Sequence, residues 1–448
     1  MDNIRGIALD ALMEAESSAV SSSSIITGVL NKYDYLDQRD KAFIKLLFEG
    51  SVERRITLDF ILDKRSSVKT RKMKPVIRNI LRMGVYQLLF TDAPSYAVCK
   101  ESVNLAGKRG FKGLGGFVNG VLRGISREIE ASELKGDERL KVFIPDEMSG
   151  NDKKSICIRY SVPELIADIF MKDYGERASS ILESMMKTRD VSIRFRSTLS
   201  DDELKRAVDD IRAAGVVLRQ SGDQRYVYQA SHTGDIRKLP GYEEGLFNIQ
   251  DVSSYKAVMA LGICEGDTVV DCCAAPGGKT VLASEMAGKS GSVTSCDVSE
   301  AKAELIRENA ERLKCDNVEV LVRDASVNVP EENGKYDKVI LDVPCSGLGI
   351  LGKKRDIKYN VTEEGLESLT ELQRRIIDGC VPYVKAGGKM LYSTCTVRKA
   401  ENEEQVSYIV EKYGLKVVEG PVQLLPDEAE QDGFFYCVLE RDAGPGAI

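Results

Sequence analysis

Apolar positions in the first third of the chain recur at helical spacing, in residues 42–47, 58–62, 76–89 and 102–106, and no alternating stretch interrupts them. The segment 73–90, MKPVIRNILRMGVYQLLF, has Pro75 near a helix start and Ile77, Ile80, Leu81 and Leu88 on neighbouring turns, so these residues are expected to be core. A polar stretch at 132–154, with Gly136, Pro145 and Gly150, reads as a linker. Residues 161–187 are again helical, and 191–196 (VSIRFR) alternates like a strand. A helix at 201–214 and strands at 216–219 and 225–229 complete a βαβ-like small module. From 245 onward strands and helices take turns. Strands are expected at 268–273, at a segment ending in Asp297, at 318–323 before Asp324, at 337–341 before Asp342, at 389–392 and at 433–440. Such alternation predicts a doubly wound parallel sheet, which binds ligands at the carboxyl ends of its strands. The fold class is therefore multidomain. It comprises an all-α domain at 1–131, the linker 132–154, an α+β module at 155–244 and an α/β Rossmann-like domain at 245–448.

The stretch 266–299 has the most specific local pattern. Its first strand runs into Pro276, Gly277 and Gly278, a turn that neither helix nor strand tolerates, and a helix follows from Lys279. A phosphate-binding Walker loop requires glycine where Cys273 stands, and a G-x-G-x-x-G nicotinamide fingerprint is absent. Asp297 ends the second strand about 20 residues beyond the turn, where a carboxylate can accept ribose hydroxyls. A ribose-bearing cofactor without a pyrophosphate remains, and S-adenosylmethionine fits. The plain alternative is a structural βαβ unit with an ordinary turn.

Composition narrows the chemistry. With 448 residues, 43% hydrophobic and 30% charged, the chain is expected to be soluble and globular, with about three domains at ~150 residues each. No apolar run approaches the ~18 residues of a membrane span. The N-terminus reads as an acidic amphipathic helix rather than a signal peptide, so a cytoplasmic location is expected. Eleven cysteines at irregular spacing, with no C-x-x-C pair, are expected to be reduced thiols that do not bind zinc. His232, in a loop, is the only histidine, so His-based triads and metal sites are excluded. Acid and base must come from Cys, Asp, Glu, Lys, Tyr or water. Residues 1–141 carry 24 Lys and Arg against 18 Asp and Glu, a balance of +6 within a net charge of −7, which leaves −13 for the remainder. Within that basic part, 64–74 (KRSSVKTRKMK) has six cations and no acid, which suits a phosphate backbone or a solvated loop. Two cysteines stand just after strands, in Asp342-Val343-Pro344-Cys345-Ser346-Gly347 and in Tyr392-Ser393-Thr394-Cys395-Thr396, placed for reactivity rather than packing.

Two resemblances organise these features. LDFILD, IRNILRMGVYQLLF, ESVNLAGKRG and FVNGVLRGI resemble the NusB family of helical RNA-binding antitermination factors over roughly the first 130 residues. DCCAAPGGKT, DVPCSG and YSTCT, with FNIQD before them and ENEEQV and DGFF after, resemble the NOL/NOP2/Sun family of RNA cytosine-C5 methyltransferases. The combination is similar to bacterial members that methylate 16S ribosomal RNA. The resemblance implies a C-terminal S-adenosylmethionine-dependent domain and an RNA-recognition-like extension before it. In that family pattern Cys395 is the thiol that attacks cytosine C6. Asp342 meets the N3/N4 edge of the base, Cys345 assists release of the C5 proton, and Lys279 lies near the cofactor carboxylate or the pyrimidine. Cys273, Ala274, Ala275, Pro276, Gly277, Gly278 and Lys279 would surround the methionine end of the cofactor. Asp297 would hold the ribose, Asp324 the adenine amino group, and Asp342 would adjoin the methyl donor. The chain departs from the pattern at Arg196, where the family has Asn, and at Arg355, where it has Pro. The implied partner is 16S ribosomal RNA, bound by a monomer that takes neither DNA nor membrane. A transfer-RNA methyltransferase of the same family, or an RNA-binding factor without catalysis, are the competing readings.

Overall fold

The helical periodicity of the first third becomes seven helices, Ile4–Ser17, Ser22–Lys32, Gln38–Glu53, Arg55–Arg65, Pro75–Phe90, Ser95–Lys108 and Gly115–Ser132. The protein is described from a computed structural model over residues 4–18, 20–144, 150–187, 189–429 and 431–444. Pro145 of the expected linker lies outside the described residues. The chain divides into two units, one of residues up to 186 with 351–361, the other of 187–350 with 362 onward.

In the first unit, Pro75 opens its helix at the position where a missing N–H costs nothing, and the expected Ile77, Ile80, Leu81 and Leu88 are all buried. Asp37 and Ser21 cap two of the other helices by accepting backbone N–H bonds. Arg82 is buried at the centre and held by Glu16 and by Asp59, the latter through Nη2–Oδ2 at 2.6 Å. The basic segment 64–74 begins in the last turn of the helix Arg55–Arg65 and runs to the start of Pro75–Phe90, with a 3₁₀ turn at Thr70–Lys72. Arg65 pairs with Glu128 at 2.7 Å and Lys69 donates to the Asp63 carbonyl, so its charges are partly engaged within the unit. The expected linker contains a 3₁₀ turn at Gly136–Val142, and its last two residues start the helix Lys153–Tyr160.

Residues 351–361, read as part of the C-terminal domain, are built into this helical unit. Arg355 pairs with Glu49 and Glu53, and the buried Lys358 donates to the Glu53 carbonyl at 2.8 Å. Arg55 lies 3.6 Å from the centre of the Tyr359 ring. The sequence departure at Arg355 therefore has a local reason: proline could not make these ion pairs.

The second unit begins with a four-stranded sheet of β1 (Val191–Phe195), β2 (Val217–Gln220), β3 (Val227–Ser231) and β4 (Phe247–Ile249), in the order β2-β3-β1-β4. The module is not βαβ-like as expected. Its strands pair antiparallel throughout, because β4, drawn from the FNIQD stretch, and β3 flank β1. One face packs on the helix Asp201–Ala213, whose Ser200 and Glu203 form a capping box. A second sheet follows, of β5 (Thr268–Asp271), β6 (Ser292–Asp297), β7 (Val318–Val322), β8 (Tyr336–Asp342), β9 (Val384–Thr394), β10 (Lys416–Leu424) and β11 (Phe434–Glu440). Its order is β10-β11-β9-β8-β5-β6-β7. Strands β5 to β9 are parallel, as the apolar runs predict. The sheet is nevertheless mixed, since β11 and β10 are antiparallel additions at one edge. Strand β10 left no signal in the sequence because it is an exposed edge containing Gly420-Pro421, where burial imposes no alternation.

Candidate active site

The carboxyl ends of β5, β6, β8 and β9 carry the candidate catalytic and cofactor side chains of the site. Strand β5 ends in Asp271, fully buried and bonded by the Thr280 hydroxyl at 2.8 Å. Burial pushes Asp271 up to about 7, and its Oδ1 has no partner. The chain then turns through Cys272–Gly277. Gly277 has φ +100°, a conformation that side chains rarely adopt, and this lets the next helix start at Gly278. The turn is pinned to neighbouring strands: Ala274 N–H donates to the Cys296 carbonyl at 2.9 Å and Ala275 N–H to Asp297 Oδ2 at 3.0 Å. Asp297 is buried at the end of β6, and its other oxygen pairs with Lys302 at 3.0 Å. A Cβ on Gly278 would come within 3.8 Å of the Asn248 amide and 4.0 Å of the Gln250 amide, both next to or within β4. The Gln250 amide is engaged there, donating to the Gly278 carbonyl at 3.1 Å, and the turn backbone with the Asp297 carboxylate remains as a donor and acceptor set that suits a ribose-bearing ligand. Cys273 within the turn is raised well above the ordinary thiol range by burial, so it is an uncharged wall residue.

Strand β8 ends in Asp342, whose two oxygens are both engaged. Lys279 Nζ donates to Oδ2 at 2.6 Å and Ser393 Oγ to Oδ1 at 2.7 Å. Burial alone would weaken the Lys279 ammonium, but the Asp342 carboxylate outweighs it and holds the pKa above the usual lysine value. The ammonium also lies 5.5 Å from the centre of the Phe434 ring.

The loops after β8 and β9 bring two sulfurs together, with Cys345 Sγ and Cys395 Sγ 3.1 Å apart. The Cys395 sulfur, reinforced by burial, drives the Cys345 thiol well above its ordinary value. The two thiols are close enough to share a proton, and either sulfur can donate it to the other. Gly349 N–H donates to the Cys395 carbonyl at 3.1 Å and Gly433 N–H to the Gly349 carbonyl at 2.9 Å. A Cβ on Gly349 would fall 2.0 Å from the Gly433 carbonyl oxygen, so only glycine allows these loops to close on one another.

Two residues that sequence reasoning did not single out hold the loops in register. Glu401, fully buried, accepts from Ser346 N–H at 2.8 Å and from Gln373 Nε2 at 3.0 Å. Gln373 also donates to the Pro344 carbonyl, and Tyr392 OH donates to the Glu401 carbonyl at 2.7 Å. Ser346 and Thr396 join hydroxyl to hydroxyl at 2.8 Å. Glu401 is the first residue of ENEEQV, which was the available signal. Gln373 lies in an amphipathic helix and left none.

Of the expected site residues, Lys279, Asp342, Cys345 and Cys395 converge, and the turn 273–278 meets Asp297. Asp324 follows β7, whose Val322 pairs with Asp297; it is exposed, and its hydrogen bonds from Ser326 N–H and Oγ lower its pKa. His232 is also exposed, in the left-handed region at φ 61°. No described helix is long and apolar enough to cross a membrane.

Comparison with known proteins places this geometry. Residues 258–440 match the model of the 16S rRNA methyltransferase RsmB/F family, and residues 2–127 match that of the NusB family. The chain is 30% identical to a probable ribosomal RNA small subunit methyltransferase B of Bacillus subtilis, over 98% of this chain and 99% of that one. Among solved structures, PH0851 matches with a TM-score of 0.78 at 22% identity, covering 98% of this chain and 99% of that one. NSun6 from Pyrococcus horikoshii matches with a TM-score of 0.56 at 20% identity, covering 62% of this chain and 98% of that one. These two structural matches show the fold.

Proposed function

Because the chain belongs to the RsmB/F family of 16S rRNA methyltransferases, and is thereby an S-adenosylmethionine-dependent RNA methyltransferase, we propose that it methylates C5 of a cytosine through a covalent bond from Cys395 to C6. The observation that carries this reading is the 3.1 Å approach of Cys345 and Cys395 at the ends of adjacent parallel strands. Cytosine C5 is too weakly nucleophilic to take a methyl group unaided. A thiolate adding to C6 pushes its electron pair through the ring to C5. The close contact of the two sulfurs lets a proton pass between them, so that Cys345 can hold it while Cys395 attacks. Lys279, held protonated by Asp342, supports a donor at the base edge where negative charge develops.

S-adenosylmethionine supplies an electrophilic methyl group when bound. The turn 273–278 and Asp297 are the residues that would hold it, the carboxylate accepting from the ribose diol. After transfer the C5 proton leaves to a base, the electron pair re-forms the ring double bond, and the C6–sulfur bond breaks. Cys345 is suited to that stage. Once Cys395 is bonded to carbon, the sulfur contact that raised Cys345 is lost, Cys345 gives its proton to water, and its thiolate takes the C5 proton directly or through water. The target base must leave its stack to reach this depth.

The reading is tested by incubating the protein with 16S rRNA and methyl-labelled S-adenosylmethionine, then hydrolysing the RNA to nucleosides. Label in 5-methylcytidine is expected. Label in N4-methylcytidine or a 2′-O-methyl nucleoside would overturn the mechanism, and label accepted only by transfer RNA would overturn the substrate. A narrower expectation concerns the cofactor alone. Asp297→Ala removes a buried charged acceptor and should weaken S-adenosylmethionine binding by roughly 1.5–3 kcal/mol, measured by calorimetry. Unchanged affinity in the folded variant would remove Asp297 from the site.

A further inference from the structure

The four-stranded sheet has two faces. Ile193, Phe195, Leu218, Tyr228 and Ala230 pack with the helix Asp201–Ala213. Ser192, Arg194, Val227, Gln229 and Arg219 occupy the opposite face, because Arg194 pairs across from Val227, and Ser192 and Arg219 each pair across from Gln229. Sheets of this kind take single-stranded RNA on an open face. Here the centre of that face is sealed. Arg194 is bound to Glu285 and Gln250, and Val227 packs with Val252, Tyr255 and Leu282.

Toward the β2 edge the seal ends in a cavity of about 510 Å³. Arg219 and Gln229 line it from the sheet, Lys256 from the helix Val252–Leu261, Gln224 from the β2–β3 turn, and Gln431 from the segment before β11. Among the described residues its lining is the reverse of an apolar core: amides inside, two cations, and Asp223 as the acid. Arg219 is exposed and pairs with Asp190 at 2.7 Å, and Lys256 donates to Gln431 Oε1 at 3.4 Å. Amides recognise the hydrogen-bonding edges of bases, and paired cations recognise phosphate. Among the described residues no aromatic ring lines the cavity, so a base would be held by its edge rather than by stacking. Chain connectivity links the cavity to the chemistry. Gln431 is two residues, at most about 7 Å of chain, from Gly433, which binds Gly349, which in turn binds the Cys395 carbonyl.

We propose that this cavity is a subsite for one nucleotide of single-stranded RNA flanking the target base, with Arg219 and Lys256 on phosphate and the glutamine amides on the base edge. The proposal rests on the RNA-methyltransferase reading above. Its test uses the full chain, S-adenosylmethionine and protein-free 16S rRNA, comparing wild type with R219E/K256E and the milder R219Q/K256Q. The KM for RNA should rise roughly tenfold or more in the charge-reversed protein and less in the neutral one, with kcat retained. The slope of log KM against log salt should fall by about 1.4, the share of two phosphate contacts on a single strand. An unchanged KM and salt slope in folded variants would overturn the subsite. So would a defect confined to assembled subunits, which would assign the cavity to a ribosomal protein. If wild type transfers no methyl group to RNA, the function reading itself fails. Direct binding of the same RNA to wild type and variants then decides the subsite, equal affinities overturning it.

Discussion

Cys395→Ala should abolish methyl transfer and leave no covalent RNA adduct, whereas Cys345→Ala should trap one. The two sulfurs are 3.1 Å apart in similar surroundings, so the difference comes from the order of steps rather than from location. Without Cys395 nothing adds to C6, C5 stays inert, and the loss in kcat should be on the order of 10⁴–10⁶, the scale seen when a covalent nucleophile is removed. Without Cys345 the attack and methyl transfer still proceed, but the C5 proton is not removed and the carbon–sulfur bond cannot break. The protein should then run as a slow, RNase-sensitive band on a denaturing gel, with label retained in the band. An adduct in Cys395→Ala that is missing from Cys345→Ala would reverse the roles. The clamp around Glu401 gives this test its footing, since neither substitution touches the bonds from Ser346, Gln373 and Tyr392 that hold the loops.

The second large effect is structural. Arg194, 1% exposed, and Glu285, 4% exposed, form a two-pronged ion pair at 2.7 and 3.1 Å. Gln250 accepts from Arg194 Nε at 2.6 Å, and Glu285 also accepts from Ser197 N–H and Oγ. The pair joins β1 to the helix Gly278–Ala287 that begins at the cofactor turn. Glu285→Ala leaves a buried guanidinium without its counter-charge and should cost about 3–5 kcal/mol. The combined Arg194→Met, Glu285→Leu replacement should recover most of that, because two apolar side chains leave no charge stranded. Urea unfolding of Arg194→Met and Glu285→Leu singly and of the double variant measures the coupling. A single variant within 1 kcal/mol of wild type would mean that water reaches the pair. Loss of S-adenosylmethionine binding in Glu285→Ala alone, with stability retained, would instead make the contact a support of the turn.

Much of this protein was legible without coordinates, and the reason is range. Helix periodicity, the Pro75 start, the Gly277-Gly278 turn and the parallel strands β5 to β8 depend on relations between residues a few positions apart, which the order of amino acids carries directly. The two cysteine loops were legible for the same reason, each being a short pattern after an apolar run. Their meeting was not. Cys345 and Cys395 approach because β8 pairs with β9 across the long helix Glu363–Cys380, and strand partnership is decided by which edges can be buried together. The same non-local choice moved β4 onto the small sheet, placed β10 and β11 antiparallel at the edge, and brought Glu401 and Gln373 together behind the sulfurs. It also returned 351–361 to the helical unit, where Arg355 and Lys358 find partners roughly 300 positions earlier in the chain. Local pattern determined which residues could form each loop and strand. Burial and charge pairing between distant segments decided which of them share a site.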